Sequence, residues 1–99
     1  LRFKVRYTKA AREDIRRLYE FLLRRDINAA KRARIAIGKA MELLQEFPFT
    51  CRKASDDSPF LRELIISFGA SGYVPLFEIE NQDTVTILPI RHQRDDDFH

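Results

Sequence analysis

Two apolar stripes at helical spacing, joined by almost nothing, constrain this chain more than any other feature. Ala11, Ile15, Leu18, Tyr19 and Leu22 step by four and three, as do Ala29, Ala33, Ile37, Ala40, Met41, Leu44 and Phe47. Thr8 is placed to cap the first helix, Glu13 and Asp14 are expected in its positive first turn, and Arg24 and Arg25 suit its negative end. The second helix is predicted to start after Asn28 and to stop at Pro48. Only Arg25-Asp26-Ile27-Asn28 lies between the stripes, which leaves little besides two adjacent antiparallel helices. The alanines of the second stripe imply close approach.

The flanking pattern has period two. Phe3, Val5 and Tyr7 alternate with Lys4 and Arg6, the signature of a half-buried strand. Residues 48 to 59, with Pro48, Asp56, Asp57, Ser58 and Pro59, hold no sustained period and are predicted to be a surface loop. Strands are expected at Phe60 to Phe68, Tyr73 to Glu80 and Thr84 to Arg91, separated by turns at Gly69-Ala-Ser-Gly72 and Asn81-Gln82-Asp83. Pro75 and Pro89 each remove a ladder donor and belong at an edge, a bulge or a strand end. The expected order is β-α-α-β-β-β, an α+β fold with a helical hairpin over one face of a small antiparallel sheet. The edge and direction at which the first strand joins stay open.

With 99 residues, 44% hydrophobic and 33% charged, the chain is expected to form a single domain, residues 1–99, with one core. No apolar run approaches the roughly 20 residues of a membrane span, and Leu1-Arg2-Phe3-Lys4 lacks the zones of a signal peptide, so a cytoplasmic protein is expected. A lone Cys51 makes no internal disulfide, and one Cys with His92 and His99 is too little for a closed zinc site, so neither metal nor redox cofactor is expected. Charge is divided sharply along the chain. Residues 1–53 carry 15 Lys+Arg against 6 Asp+Glu, and residues 54–99 carry 3 against 9. The basic half suits either an acidic partner or simply a solvated helix surface.

Chemistry-bearing residues concentrate in Arg91-His92-Gln93-Arg94-Asp95-Asp96-Asp97-Phe98-His99. Gly-rich phosphate loops and nucleophile elbows do not occur. Arg62 and Arg91 are candidates to converge on a phosphate, with His92 or His99 as the proton carrier of an RNA-cleaving site. The competing reading pairs Arg62 with Glu63, Glu78 or Glu80 and lets His92 cap a strand end. Asp95 to Asp97 oppose a nucleic acid at this place. Phe3, Tyr7, Tyr19, Phe21, Phe47, Phe60, Phe68, Tyr73 and Phe77 mostly hold periodic apolar positions and are expected in the core, whereas Phe98 falls outside any such pattern. Cys51, beside Arg52 and Lys53, is a candidate for a lowered thiol pKa but has no assigned base.

Arg62-Glu-Leu-Ile-Ile-Ser-Phe-Gly-Ala-Ser-Gly-Tyr-Val74, followed by Leu88-Pro-Ile-Arg-His-Gln-Arg-Asp-Asp-Asp-Phe-His99, resembles the ParE/RelE superfamily of type II toxins, most closely its ParE-like branch. The resemblance implies a toxin neutralised by a cognate antitoxin whose C-terminal portion folds upon it, adding a strand at a sheet edge or an amphipathic helix in a groove, in a toxin–antitoxin hetero-oligomer. ParE-like members are implied to poison DNA gyrase, and RelE-like members to cut messenger RNA on the ribosome without a metal. By the RelE-like pattern Arg62, Arg91 and Lys53 match cationic positions, while Phe98 stands where a tyrosine hydroxyl is expected. That incomplete set implies a gyrase binder whose contacts are Arg91, His92, Arg94 and Phe98. The enzyme alternative uses Arg62, Arg91 and His92.

Overall fold

The computed structural model describes residues 2–68 and 71–89. Strand β1 (Lys4–Tyr7) leads into helices α1 (Lys9–Arg25) and α2 (Ile27–Glu46). A single 3-10 turn (Pro48–Thr50) follows, then strands β2 (Arg52–Ser55), β3 (Ser58–Glu63), β4 (Ile66–Phe68), β5 (Ser71–Tyr73), β6 (Leu76–Ile79) and β7 (Thr84–Ile87). The α+β class and the helical hairpin on a sheet are as expected. Strand β2 corrects the loop predicted at residues 48 to 59: it pairs antiparallel with β3, with a register shift between Lys53 and Ser55 that hides its periodicity.

Local chemistry sets the helix ends. Thr8, in extended backbone, accepts a hydrogen bond from the Ala11 amide at 3.0 Å. Asp26 is the whole connection between the helices. Its N–H donates to the Leu22 carbonyl at 2.8 Å, and its carboxylate accepts from the Asn28 amide at 2.9 Å, so one residue closes α1 and opens α2. The second helix therefore begins two residues earlier than its apolar stripe indicates. The first turn of α1 holds no acidic residue, since Glu13 and Asp14 lie one turn further in. At the other end Phe47 caps α2 through its N–H to the Leu43 carbonyl, and Pro48 begins the 3-10 turn.

Strand order in the main sheet is β1-β7-β6-β3-β2. The sheet is antiparallel except at one edge, where β1 runs parallel to β7 with Val5 beside Val85 and Tyr7 beside Ile87. Both hairpin helices and all the intervening strands form the long crossover a parallel pair needs. Strands β4 and β5 make a separate two-stranded ladder, yet its register continues that of β3 and β6. Leu61 faces Glu78, Glu63 faces Leu76, Ile66 faces Tyr73 and Phe68 faces Ser71. These are two halves of one hairpin, interrupted at Pro75. The Leu64 amide donates to the Pro75 carbonyl at 3.0 Å, and proline has no N–H to return. Pro75 thus sits at a strand break and Pro89 beyond the end of β7, as the missing donors require.

One sheet face meets the helices. Phe77, Ile79, Val85 and Ile87 are buried there with Leu64, Ile66, Phe68 and Tyr73 against Ala11, Ala33, Ala40 and Leu44. The zero exposure of Ala11, Ala30 and Ala33 lets backbone approach backbone. Each fully buried Phe, Leu or Ile in this core contributes about 1.5–3 kcal/mol. Among the aromatics expected inside, Phe21, Phe47 and Phe60 are exposed instead. Phe21 carries the Arg25 guanidinium over its ring, Phe47 ends α2, and Phe60 belongs to the inner stripe of β3 at a point where its flank opens into a surface cleft.

Candidate functional site

Alternate residues of the interrupted hairpin, Phe60, Arg62, Leu64, Ile66 and Phe68, project from one face, and Arg62 is the single polar member of that stripe. Register fixes its neighbours. Arg62 stands opposite Phe77 on β6 and opposite Lys53 on β2, while Phe77 stands opposite Ile87, which lies beside Tyr7. One row therefore crosses the sheet from Tyr7 through the buried core to two adjacent cations, Arg62 and Lys53.

The Arg62 guanidinium is held by main-chain carbonyls. Its Nε donates to the Pro59 oxygen at 2.7 Å, and its Nη1 donates to the Cys51 oxygen at 2.8 Å and the Phe49 oxygen at 3.1 Å. It also lies over the Phe49 ring, 5.4 Å from the centroid. Among the described residues it pairs with none of the three carboxylates considered as partners. Alternation turns Glu63 and Glu78 to the opposite face, where Glu63 accepts from Arg52 at 2.8 Å, and Glu80 accepts from the Thr86 hydroxyl. Arg62 thereby stitches the 3-10 turn to the sheet.

That stitch presents an aromatic pair. Phe49 and Phe60 meet edge to face at 6.2 Å and remain 50% and 51% exposed. With Ile79, Glu80, Asn81 and Gln82 they line a cleft of about 300 Å³. Periodicity did not mark Phe49, because it follows Pro48 in a segment with no sustained pattern; its only sequence signal is its place beside another aromatic, Phe47. Cys51 is partly buried against the core, and burial pushes its thiol pKa up, with the Arg62 charge opposing that rise only in part. The lowered thiol pKa considered from its basic neighbours is therefore reversed. Among the described residues no group of three or more His, Cys, Asp and Glu side chains could hold a metal ion.

Of the predicted site residues, Arg62 and Lys53 are brought together on one face. Arg91, His92, Arg94, Phe98 and His99 lie outside the described residues. No helix of the described chain is long and apolar enough to cross a membrane.

A two-helix hairpin packed on a mixed sheet, with Arg62 as a basic position on β3, is an α+β architecture consistent with the RelE/ParE-like fold. The family described as the ParE toxin of type II toxin-antitoxin system, parDE, matches residues 5–97. Over 83 residues the chain is 39% identical to Toxin RelE3 of Caulobacter vibrioides, a match covering 83% of this chain and 85% of that relative. The chain belongs to the ParE toxin family within the ParE/RelE superfamily, and it is a toxin of a type II toxin–antitoxin system, with an antitoxin as its partner.

Proposed function

We propose that this toxin arrests growth by binding and poisoning DNA gyrase, without itself cutting nucleic acid, and that its cognate antitoxin reverses the arrest. The observation that supports this reading is the state of Arg62. A nuclease would need that guanidinium aimed at a phosphate, whereas here three carbonyl bonds and an aromatic face engage it. Arg91, His92, Arg94 and Phe98 are the proposed gyrase contacts.

Supercoiling of relaxed plasmid by gyrase, with purified toxin and with or without antitoxin, tests the reading. Loss of supercoiling or accumulation of cleaved DNA, both reversed by antitoxin, is the expected result. Unimpaired supercoiling at saturating, folded toxin would remove gyrase as the target. A second reading, ribosome-dependent cleavage of messenger RNA by Arg62, Arg91 and His92, is favoured by the cation pair Arg62 and Lys53 on one face and by the RelE name of the relative. It requires Arg62 to release its carbonyls when RNA enters. Mapping of mRNA ends after induction separates the two, since only the nuclease leaves codon-positioned cuts.

A further inference from the structure

Helices α1 and α2 leave a groove between them that their own packing does not close. Arg12, Ile15, Arg16 and Tyr19 of α1 meet Arg34 and Ile37 of α2 around a depression of about 490 Å³. A second depression, of about 290 Å³, shares Arg12, Ile15 and Ile37 with the first and is also bounded by Tyr7 of β1. The floor is apolar, since Tyr7, Ile15 and Ile37 are half-buried and pack against the core. The rim is basic: three arginines and no carboxylate line the two depressions. Arg16 is already engaged by Glu13 and Glu20, both at 2.7 Å. Arg12 and Arg34 make no ion pair among the described residues, and Arg12 lies over the Tyr7 ring, 5.5 Å from its centroid. An occupant therefore has to present carboxylates to the rim and an apolar group to the floor.

The chain itself supplies that chemistry within reach. Because β1 and β7 are parallel, both leave the sheet at the same end, where Tyr7 stands beside Ile87 and the Thr8 amide donates to the Ile87 carbonyl at 3.1 Å. Pro89 thus follows β7 close to the residue that bounds one end of the groove. Residues 95–98, Asp-Asp-Asp-Phe, hold the only run of three acidic residues in the sequence, followed directly by an aromatic one. Arg91 and Arg94 precede that run, so the part able to reach farthest from the strand end is acidic and apolar. At 1.5 Å per residue, Arg12 and Tyr19 lie about 6 and about 17 Å along α1 from Thr8. Six residues from Pro89 to Asp95 span up to about 20 Å, and nine to Phe98 up to about 30 Å, which covers the groove with length to spare. A tether this short sets an effective concentration on the order of millimolar, so contacts too weak to join separate molecules are populated within one. Reach and tether together favour this segment over an acidic chain arriving from solution.

We infer that residues 95–98 dock in the groove between α1 and α2, with Asp95, Asp96 and Asp97 against Arg12 and Arg34 and the Phe98 ring on Ile15 and Ile37. The inference rests on neither target reading, and any target that engages Phe98 has to lift it from the groove. Isotope-edited NMR of the full-length toxin, released from its antitoxin, tests it directly. Cross-peaks are expected between the Phe98 ring and the Ile15 and Ile37 methyl groups, unchanged on about tenfold dilution because the contact is intramolecular. Arg12→Glu with Arg34→Glu should lower the ratio of docked to free segment roughly tenfold. Adding Asp95→Lys, Asp96→Lys and Asp97→Lys should recover it, because exchanging the signs recreates the pairs. Arg17→Glu with Arg32→Glu makes the same change in net charge outside the groove and should leave the cross-peaks intact. Absence of the cross-peaks in the wild-type protein overturns the inference, as do cross-peaks that fade on dilution, survive the groove reversal or vanish equally in the control pair. Failure of the lysine exchange to restore the contact overturns it as well. If the cross-peaks are absent and the groove reversal instead weakens antitoxin binding, the groove belongs to the antitoxin and docking within the chain is refuted.

Discussion

Arg62 stands directly opposite Phe77 on adjacent strands and the same sheet face, yet the two side chains end in opposite environments. Phe77 is 0% exposed within the core. The guanidinium of Arg62 instead reaches over Phe49 and takes the carbonyls of Pro59, Phe49 and Cys51. The boundary between the buried core and the candidate site therefore runs between two residues paired across one ladder.

If Arg62 is a structural stitch, Arg62→Ala should destabilise the protein by about 1–3 kcal/mol, because charge-assisted bonds to several carbonyls vanish together. Arg62→Lys should recover only part of that, since a point charge cannot span carbonyls from two segments. Urea unfolding of both variants measures the effect. Wild-type stability in Arg62→Ala, together with lost mRNA cleavage, would instead favour the nuclease reading.

Asp26 serves two helix ends at once. Asp26→Ala should cost about 1 kcal/mol through loss of the cap to the Asn28 amide, while Asp26→Asn keeps an acceptor and should cost less. Thermal unfolding followed by far-UV circular dichroism distinguishes them, and equal losses would argue that the carboxylate charge rather than the cap matters.

Gly72 lies in β5 opposite Ser67, and a Cβ there would come within 3.0 Å of the Ile66 carbonyl oxygen. Backbone cannot swing aside as a flexible side chain can. Gly72→Ala is therefore expected to destabilise by about 1–3 kcal/mol, whereas a Cβ at Gly38, inside α2, meets nothing within 4 Å, so Gly38→Ala is expected to stabilise. Denaturant midpoints of the two variants should move in opposite directions.

Tyr73 is buried with a hydroxyl that finds no hydrogen-bond partner among the described residues, and its pKa is pushed up to about 12, first by burial and then by the charge of Asp14. A folded-state pKa above the unfolded value of 10.0 means that the native protein holds this proton more tightly. Its contribution to stability is complete below pH 10 and is lost as pH rises from there towards about 12. Tyr73→Phe should remove that alkaline loss and, by deleting an unpartnered buried hydroxyl, raise stability near neutral pH by about 1 kcal/mol. Unfolding curves recorded across the alkaline range test both parts.

Cys51 should react slowly with iodoacetamide near neutral pH, since burial raises its thiol pKa. Arg62→Ala should not accelerate labelling through charge, because removing the cation raises the thiol pKa further. Faster labelling in that variant would report opening of the 3-10 turn, which is the expected consequence of cutting the stitch.

The helical hairpin was legible from residues because its determinants act within a turn or two: stripes at three and four, Thr8 as a cap, Pro48 as a stop. Strands β1, β6 and β7 were legible for the same reason, through alternation and the Asn81-Gln82-Asp83 turn. Within the candidate site, Arg62 and Lys53 stood out as cations, but Phe49 did not, since its role depends on a ring 11 positions away in the chain and a guanidinium 13 positions away.

What the chain determined by itself was thus the type and order of most elements and the hydrophobic face each would bury. Only the tertiary structure decided that β1 joins β7 in parallel, that residues 52 to 55 form an edge strand, and that Arg62 bonds to carbonyls instead of carboxylates. Those outcomes are matters of register. A shift of one residue would turn every side chain of a strand to the other face, and the choice is made by the summed packing of Phe77, Ile87 and Leu64 against the helices rather than by any signal within the strand.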